Sequence, residues 1–491
     1  METIYPPCSQ TIGVIAIGTR GDFQPLLAFC LDLQQRMITS NAQVYLIAPE
    51  VFRQQYEKAV QSTRSSLLFK SLKGNPKETM QDPQTQEALR TGNFATVMQL
   101  TAKPNEMLMS QCTHDLFEIA KETPFNTLMS SSMGMPIAWM LSERYEIPLV
   151  YIGLVPEAPT SDFPFCVLSP VSLGDEEKNL ASYELVYHAS FKRTEEMVNQ
   201  QRQELGLAQM KDEGWLSLKE KYNMPIIYAF SDVAFGGKKP KGYRENIHLT
   251  GYFELKLEDD HLDLEIENFL ASPKPEPVFL SFGSMPALNP FQLFELTRSV
   301  LMRNERVILS CGWTDMDKIM EDLNMHHFEI LSKFTEEEIQ HYTELLNSLK
   351  QYIANDRLLV IKDCPYYLLF PRCACIVHHG GAGTTGTALK SGKPQVVIPV
   401  FMDQPFWAHK MYDLGVASYP VLFKDITNEK VNEAIDCVLH QGEKSEDIKK
   451  KALLIAQQLQ ANEHDCDPIS RAIELCLDCI KNPFIVPRIE Q

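Results

Sequence analysis

Residues 375–405, CIVHHGGAGTTGTALKSGKPQVVIPVFMDQP, restrict the fold more than any other part of the chain. The apolar, β-branched run at 375–377 is short and reads as the end of a buried strand. Two histidines and a glycine-rich turn follow, from His378 to Thr385. A helical stretch then runs through Thr387-Ala388-Leu389-Lys390 and is stopped by Gly392 and Pro394. A second buried strand at 395–399 delivers Asp403 and Gln404 into the next loop. Strand, glycine turn, helix, strand is the order that sets backbone N–H groups and a helix N-terminus against a phosphate. The stretch is therefore read first as nucleotide-handling.

The remaining chain must supply a framework for that turn. Its 491 residues exceed one core and suit two domains. The first half opens with a buried strand at 11–17, the loop Gly18-Thr19-Arg20-Gly21-Asp22, a helix at 23–37 and a strand at 44–48. This β-α-β start implies a parallel sheet. The segment 53–123 reads as mostly helical. Strands are expected at 125–129, 149–153, 226–230 and 247–250, with helices at 135–146 and 174–222. Residues 154–170 hold four prolines and read as an ordered loop.

The acidic, proline-spaced stretch 254–277 reads as a linker. The strand-helix pattern then restarts at 278–282, with further strands at 306–310 and 358–361 and a charged, helical insertion at 315–356. The domains are thus an N-terminal Rossmann-like domain over 1–253, the linker, and a C-terminal Rossmann-like domain over 278–470. A tail over 471–491 is expected to pack back on the first domain. The fold class is α/β, two doubly wound parallel sheets whose ligands bind at the carboxyl ends of the strands, in the cleft between the halves.

Composition removes several functions. With 44% hydrophobic and 22% charged residues, the chain is of ordinary globular type. A formal charge of −18 argues against nucleic acid and against a polybasic contact with anionic lipid. An apolar contact at a membrane periphery stays open. The N-terminus lacks a basic region, and no stretch reaches spanning length. Twelve scattered cysteines read as reduced thiols of a cytoplasmic protein. The Cys476–Cys479 pair stands without a second pair or histidines, so no metal site is indicated. A Walker P-loop fails on spacing at Gly386–Gly392, and no GxGxxG follows the first strand.

These motifs resemble those of the GT-B glycosyltransferases, most closely the sterol 3-β-glucosyltransferase branch and its bacterial relatives that act on antibiotic aglycones. The resemblance rests on GTRGDFQP at 18–25, LTGYF at 249–253 and SFGSMP at 281–286. CP with LLFPRC at 364–373, HHGGAGTT at 378–385 and GKPQVVIPVFMDQPFWA at 392–408 complete it. The chain departs from the branch at Tyr366-Tyr367-Leu368, where a His-Asp pair precedes tryptophan, and in the loop PEAPTSDFP, which lacks tryptophan.

The resemblance implies roles that the chemistry of the residues suits. His379, Gly380, Gly381, Gly383 and Thr384 fall where the family holds the donor diphosphate. The glycines permit close backbone approach, and Thr384 offers an N–H and a hydroxyl. Ser284, after the first strand of the second half, should reach the same diphosphate or cap the following helix. Asp403 and Gln404 resemble the pair that binds sugar hydroxyls, with helix capping as the alternative. Asp22 is the candidate general base at the end of the first strand; such a base must have its pKa raised to be effective. Its alternative is an N-cap. Met133 and Met135, with Pro159 and Phe163 of the proline-rich loop, are candidate acceptor contacts, ordinary core packing being the other use of such residues.

The function implied is an inverting, metal-independent transfer of glucose from UDP-glucose to a hydroxyl of a hydrophobic, sterol-like acceptor, with no cofactor. The alternatives are a transferase for natural-product aglycones using a UDP- or dTDP-sugar, and a non-catalytic lipid-binding protein on the same fold.

Overall fold

The computed structural model describes residues 10–489 apart from 39–40, 77, 79–81, 93, 284–287, 289, 304 and 312–334. Ser284 and the first part of the 315–356 insertion lie outside these residues. Two compact units are present: one is Met1–Thr79, Met98–Asp259 and Ala461–Gln491, the other Met80–Val97 and Asp260–Gln460.

The N-terminal unit is built on a seven-stranded sheet. Its strands are β1 (Thr11–Ile15), β2 (Gln43–Pro49), β3 (Leu68–Leu72), β4 (Thr127–Ser130), β5 (Leu149–Gly153), β6 (Ile226–Tyr228) and β7 (Ile247–Leu249). They lie in the order β3-β2-β1-β4-β5-β6-β7, and every pair is parallel. β1, β4 and β5 are almost wholly buried, as expected for apolar runs covered by helices on both faces. β3 is the exception within 53–123, whose described residues are otherwise mostly helical, as expected. Its sequence LFKSL is half-exposed at the sheet edge, so it lacks the continuous apolar run of a central strand.

The C-terminal unit repeats the plan with five strands: β8 (Val278–Ser281), β9 (Val307–Ser310), β10 (Leu358–Ile361), β11 (Cys375–His378) and β12 (Gln395–Val397). Their order is β10-β9-β8-β11-β12, again parallel throughout. In both sheets the strand order reverses beside the first strand. A crevice at the carboxyl ends opens at such a reversal, between β1 and β4 in one sheet and β8 and β11 in the other.

The linker reading of 254–277 is corrected. A helix occupies Leu264–Ala271 and belongs to the C-terminal unit. Leu262, Ile266 and Phe269 recur at helical spacing and are buried against Phe279, Ile308 and Leu359. The Arg306 guanidinium lies 4.0 Å from the Phe269 ring centroid and donates to the Phe269 carbonyl. Three apolar residues among many acids form a narrow stripe, which net composition conceals. Within the insertion, a helix covers Glu336–Ala354. Met80–Val97 groups with the C-terminal unit rather than with the rest of 1–253.

The C-terminal tail completes the N-terminal unit. The helix Pro468–Lys481 is capped by Asp467, and Gly251 makes room for it, since a β-carbon there would meet Pro468 Cγ at 2.7 Å. Further on, the Leu149 N–H donates to the Phe484 carbonyl at 2.9 Å. The Val486 N–H donates to Ser142 Oγ at 3.2 Å, and the Ile489 N–H to Glu143 Oε1 at 3.1 Å. Glu143 is also gripped from the other side by Arg202, with bonds of 2.7 and 2.8 Å between two fully buried side chains. Among the described residues, no helix is long and apolar enough to cross a membrane.

Candidate active site

The donor-side residues sit where β11 leaves the second sheet. His378 pairs in register with Ser281 of β8, so the exits of the two strands at the reversal point are neighbours. His378 Nδ1 accepts from the Gly380 N–H at 3.1 Å, which leaves the ring proton on Nε2, facing Gln395 Oε1 at 3.0 Å. Burial lowers its pKa to about 4. His378 is therefore a neutral brace for the turn.

His379 has different surroundings. Its imidazole lies between two glycines: a β-carbon at Gly283 would stand 2.8 Å from Cε1, and one at Gly381 2.6 Å from Nε2. Burial, aided by His378, lowers its pKa to about 3, so the ring is neutral at working pH. Nδ1 is buried with no hydrogen-bond partner among the described residues. A buried polar atom left unpaired is costly and calls for an explanation. A ligand oxygen accepting from the ring would supply one.

The glycines of the turn divide by cause. Gly380 has φ +85°, and a β-carbon would meet Val397 Cγ1 at 2.9 Å and the Gln404 carbonyl oxygen at 3.0 Å. Gly381 makes way for His379. Gly383 is exposed, and a β-carbon there would meet nothing within 4 Å. Among the described residues no contact asks for glycine at Gly383. Close approach by a ligand would account for it. The helix Ala382–Ser391 begins here without a side-chain cap, so its first N–H groups, including that of partly buried Thr384, point out from a positive helix end.

Asp403 and Gln404 end the next strand connection and are held differently. Gln404 is buried, and its Oε1 accepts from the Val400 and Phe401 N–H groups at 2.9 and 3.0 Å. Its carbonyl thus closes the loop, leaving the amide NH₂ as the end able to donate to a ligand. Asp403 makes no side-chain cap, and its Oδ2 accepts from Trp407 Nε1 at 2.7 Å. Met402, with φ +59°, turns the chain between them and the strand. A left-handed non-glycine residue stores strain, which is common beside functional groups.

On the acceptor side, Asp22 follows β1 at the reversal point of the first sheet. The helix it belongs to is Arg20–Met37, capped by Thr19, so Asp22 is the third helical residue and not the N-cap. Thr19 Oγ1 accepts from the Gly21 N–H at 3.2 Å, and Asp22 Oδ2 accepts from the Thr19 N–H at 2.7 Å. This reciprocal box fixes the carboxylate. Packing around the group raises its pKa to about 6, the bonds from Thr19 acting in the opposite direction and the charge of Glu157 adding to the rise. A carboxylate poised near pH 6 is a far better base than an ordinary aspartate.

The acceptor candidates separate. Met135 is fully buried, and Phe163 is buried and stacked on Phe235 at 5.5 Å. Core packing accounts for both. Met133, 37% exposed, and Pro159, partly exposed, keep surface that an acceptor could touch. Sequence reasoning overlooked Glu157, the lone charged residue of LVPEAPT in the proline-rich loop. An acid set among apolar residues, in a loop leaving a central strand, was the available signal.

These features agree with comparisons to known proteins. A family described as "Erythromycin biosynthesis protein CIII-like, C-terminal domain" matches residues 327–463. The solved structure of CalG4, the calicheamicin glycosyltransferase, superposes with a TM-score of 0.62 at 11% identity, covering 97% of this chain and 99% of that one. The chain has the GT-B glycosyltransferase fold. In sequence, this GT-B chain is similar to the sterol 3-β-glucosyltransferase of Saccharomyces cerevisiae (strain YJM789), 26% identical over 84% of this chain and 31% of the relative. It is also similar to a sterol 3-β-glucosyltransferase of Arabidopsis thaliana, 25% identical over 90% of this chain and 62% of the relative. The GT-B chain therefore spans between about a third and three fifths of the length of these two curated relatives.

Proposed function

We propose that the protein is an inverting glycosyltransferase that moves glucose from UDP-glucose to the hydroxyl of an apolar, sterol-like acceptor. The observation that carries this reading is Asp22, a base raised to about 6 at the reversal point of the first sheet. It is matched at the reversal point of the second sheet by a turn shaped for a diphosphate. The sterol and glucose assignments are supported by what the similar yeast and plant proteins are named for.

In this mechanism an Asp22 carboxylate oxygen takes the acceptor hydroxyl proton as the hydroxyl oxygen attacks the anomeric carbon. The bond from that carbon to the β-phosphate oxygen breaks, and its electron pair leaves with UDP. One displacement inverts the anomeric centre. Charge growing on the diphosphate is met by the N–H groups of the turn and helix start, and by the neutral His379 ring acting as a donor. The amide of Gln404 and the carboxylate of Asp403 suit the edge of a hexose. The reading requires no metal.

A second reading is a natural-product aglycone transferase using a UDP- or dTDP-sugar, favoured by the erythromycin-type match over 327–463. Tyr366 and Tyr367 bear on this. Tyr366 stacks on Phe370 at 4.8 Å, and Tyr367 donates to Asp260 Oδ2 at 3.1 Å, so this position is engaged in packing and in holding the start of the C-terminal unit. Incubation with UDP-[14C]glucose or a labelled dTDP-sugar, in EDTA, against a panel of sterols and polyketide aglycones separates the readings. Labelled steryl glucoside supports the first, and label in an aglycone alone supports the second. Binding of lipid without any nucleotide-sugar turnover would favour a non-catalytic lipid-binding protein.

A further inference from the structure

The proline-rich loop that leaves β5 changes character along its length. From Phe163 to Gly174 it reads FPFCVLSPVSLG, a run without a charge in a chain of net charge −18. The first part of the run is buried. Phe163 stacks on Phe235 at 5.5 Å, and Phe165 packs edge-on against Tyr183 and Tyr187 at 5.6 and 6.1 Å. The second part faces outward. Val167, Leu168, Val171 and Leu173 are 39–49% exposed, and Leu180, on the helix Glu176–Glu204 that follows, is 42% exposed. Aromatic rings thus hold the loop from inside while aliphatic side chains are kept in water, at a cost.

The backbone of the outward part is tied to the protein itself. The Leu168 and Ser169 N–H groups donate to the Phe165 carbonyl at 2.8 and 3.4 Å. Position 170 is proline and has no N–H to satisfy. The Val171 N–H donates to Ser169 Oγ at 3.4 Å, the Leu173 N–H to Asn179 Oδ1 at 2.9 Å and the Gly174 N–H to Ser172 Oγ at 3.2 Å. Buried Asn179 donates in turn to the Ser161 carbonyl at 2.8 Å and to Ser172 Oγ at 3.0 Å. An exposed loop ordinarily gives its N–H groups to water. These are satisfied within the loop and its anchor, so the surface can leave water without stranding them. Such a surface fits a medium that is apolar and offers no hydrogen bonds. A protein partner is usually met with aromatic and arginine side chains, and residues 167–174 hold neither.

We propose that residues 167–173, with Leu180, form a docking surface for an uncharged phospholipid bilayer, their aliphatic side chains entering the acyl layer just beneath the headgroups. The contact is peripheral. Asp162 and Asp175 bracket the uncharged run and stay at headgroup level, Asp162 accepting from the Lys241 N–H at 2.9 Å and Asp175 capping the helix behind it. With a net charge of −18 the apolar side chains drive the binding, so salt should change it little. The same loop carries Pro159 and leaves β5 at the carboxyl edge of the sheet, so a docked protein collects an apolar acceptor from the layer in which it dissolves. That role in acceptor capture rests on the transferase reading; the docking itself does not.

The test is flotation of the whole protein with phosphatidylcholine vesicles at low and at high salt, with sedimentation velocity run in parallel without lipid. The wild type floats with the vesicles at both salt concentrations. The double variant Leu168→Asn, Val171→Asn binds them more weakly by about tenfold or more. Leu453→Asn, at a similarly exposed leucine of the C-terminal unit, binds like the wild type. In Leu168→Trp the added emission shifts to the blue on vesicles and is quenched by bromine on the lipid chains. A wild type that does not float, a double variant that floats equally well, or binding that is lost on raising salt would overturn the proposal. So would a wild-type dimer that the double variant dissociates, which would assign the face to a second copy of the chain. Failure to transfer sugar, with flotation present and lost in the double variant, would instead remove the transferase reading and leave the docking surface standing.

Discussion

A β-carbon at Gly380 would stand 3.0 Å from the carbonyl oxygen of Gln404. The glycine turn after β11 and the loop bearing Asp403 and Gln404 are thus packed directly on one another.

This contact separates two glycines that look alike in sequence. Gly380→Ala places a methyl group against Val397 and Gln404 at a positive φ, and should destabilise the protein by about 1–3 kcal/mol while weakening UDP binding. Gly383→Ala meets no protein atom in a helical conformation, and should stabilise by about 0.5–1 kcal/mol while still weakening UDP binding. Urea unfolding with UDP titration calorimetry reads both quantities. Unchanged UDP affinity in Gly383→Ala would show that no ligand approaches that position.

His378 should be an Nε2–H tautomer that resists protonation. Its folded pKa, about 4, lies below the value of about 6.5 of an unfolded histidine. Between these values the unfolded chain binds more protons, so the stability contributed is complete above about 6.5 and is lost as pH falls through about 4. The 15N–1H spectrum at pH 5.5 should show a neutral ring with the proton on Nε2. An imidazolium signal there contradicts the brace.

Asp22 predicts a trade between stability and activity. Its folded pKa is raised, so the folded state binds more protons than the unfolded one between about 3.8 and 6, and stability declines as pH rises through that window. At pH 7.5, Asp22→Asn removes this cost and should be stabilising by about 1–2 kcal/mol, after allowance for partial exposure. The advantage should vanish near pH 4. Urea unfolding of both proteins at the two pH values checks the sign.

The C-terminal tail should depend on a buried ion pair. Arg202→Met leaves Glu143 charged without its partner, and should cost about 3–5 kcal/mol. Because the Ile489 N–H donates to Glu143, the last residues should also become susceptible to protease. Intact-mass analysis after brief proteolysis detects this, and an equally resistant tail would show that Glu143 does not anchor it.

Much of the architecture was legible because buried parallel strands are continuous apolar runs, as in Leu149–Gly153. β3 and the helix Leu264–Ala271 were not, since an edge strand and a narrowly amphipathic helix carry many polar residues. At the site, residue types pointed to His379, the glycines and Asp22, but not to how each is used. Only packing distinguishes His378, which braces the turn, from His379, whose Nδ1 is buried with no partner among the described residues, or shows that the Gln404 side-chain carbonyl is occupied by its own loop. Glu157 stayed hidden because its partners Tyr151, Lys219 and Tyr228 are distant in sequence and meet through the strand order.

The most direct test of the account is transfer of label from UDP-[14C]glucose into a lipid-extractable sterol product by the wild type and Asp22→Asn, with UDP affinity measured in parallel. The account predicts a β-linked steryl glucoside from the wild type, loss of product in Asp22→Asn, and equal affinity of both for UDP. Undiminished product from Asp22→Asn, or an α-linked product from the wild type, would contradict it.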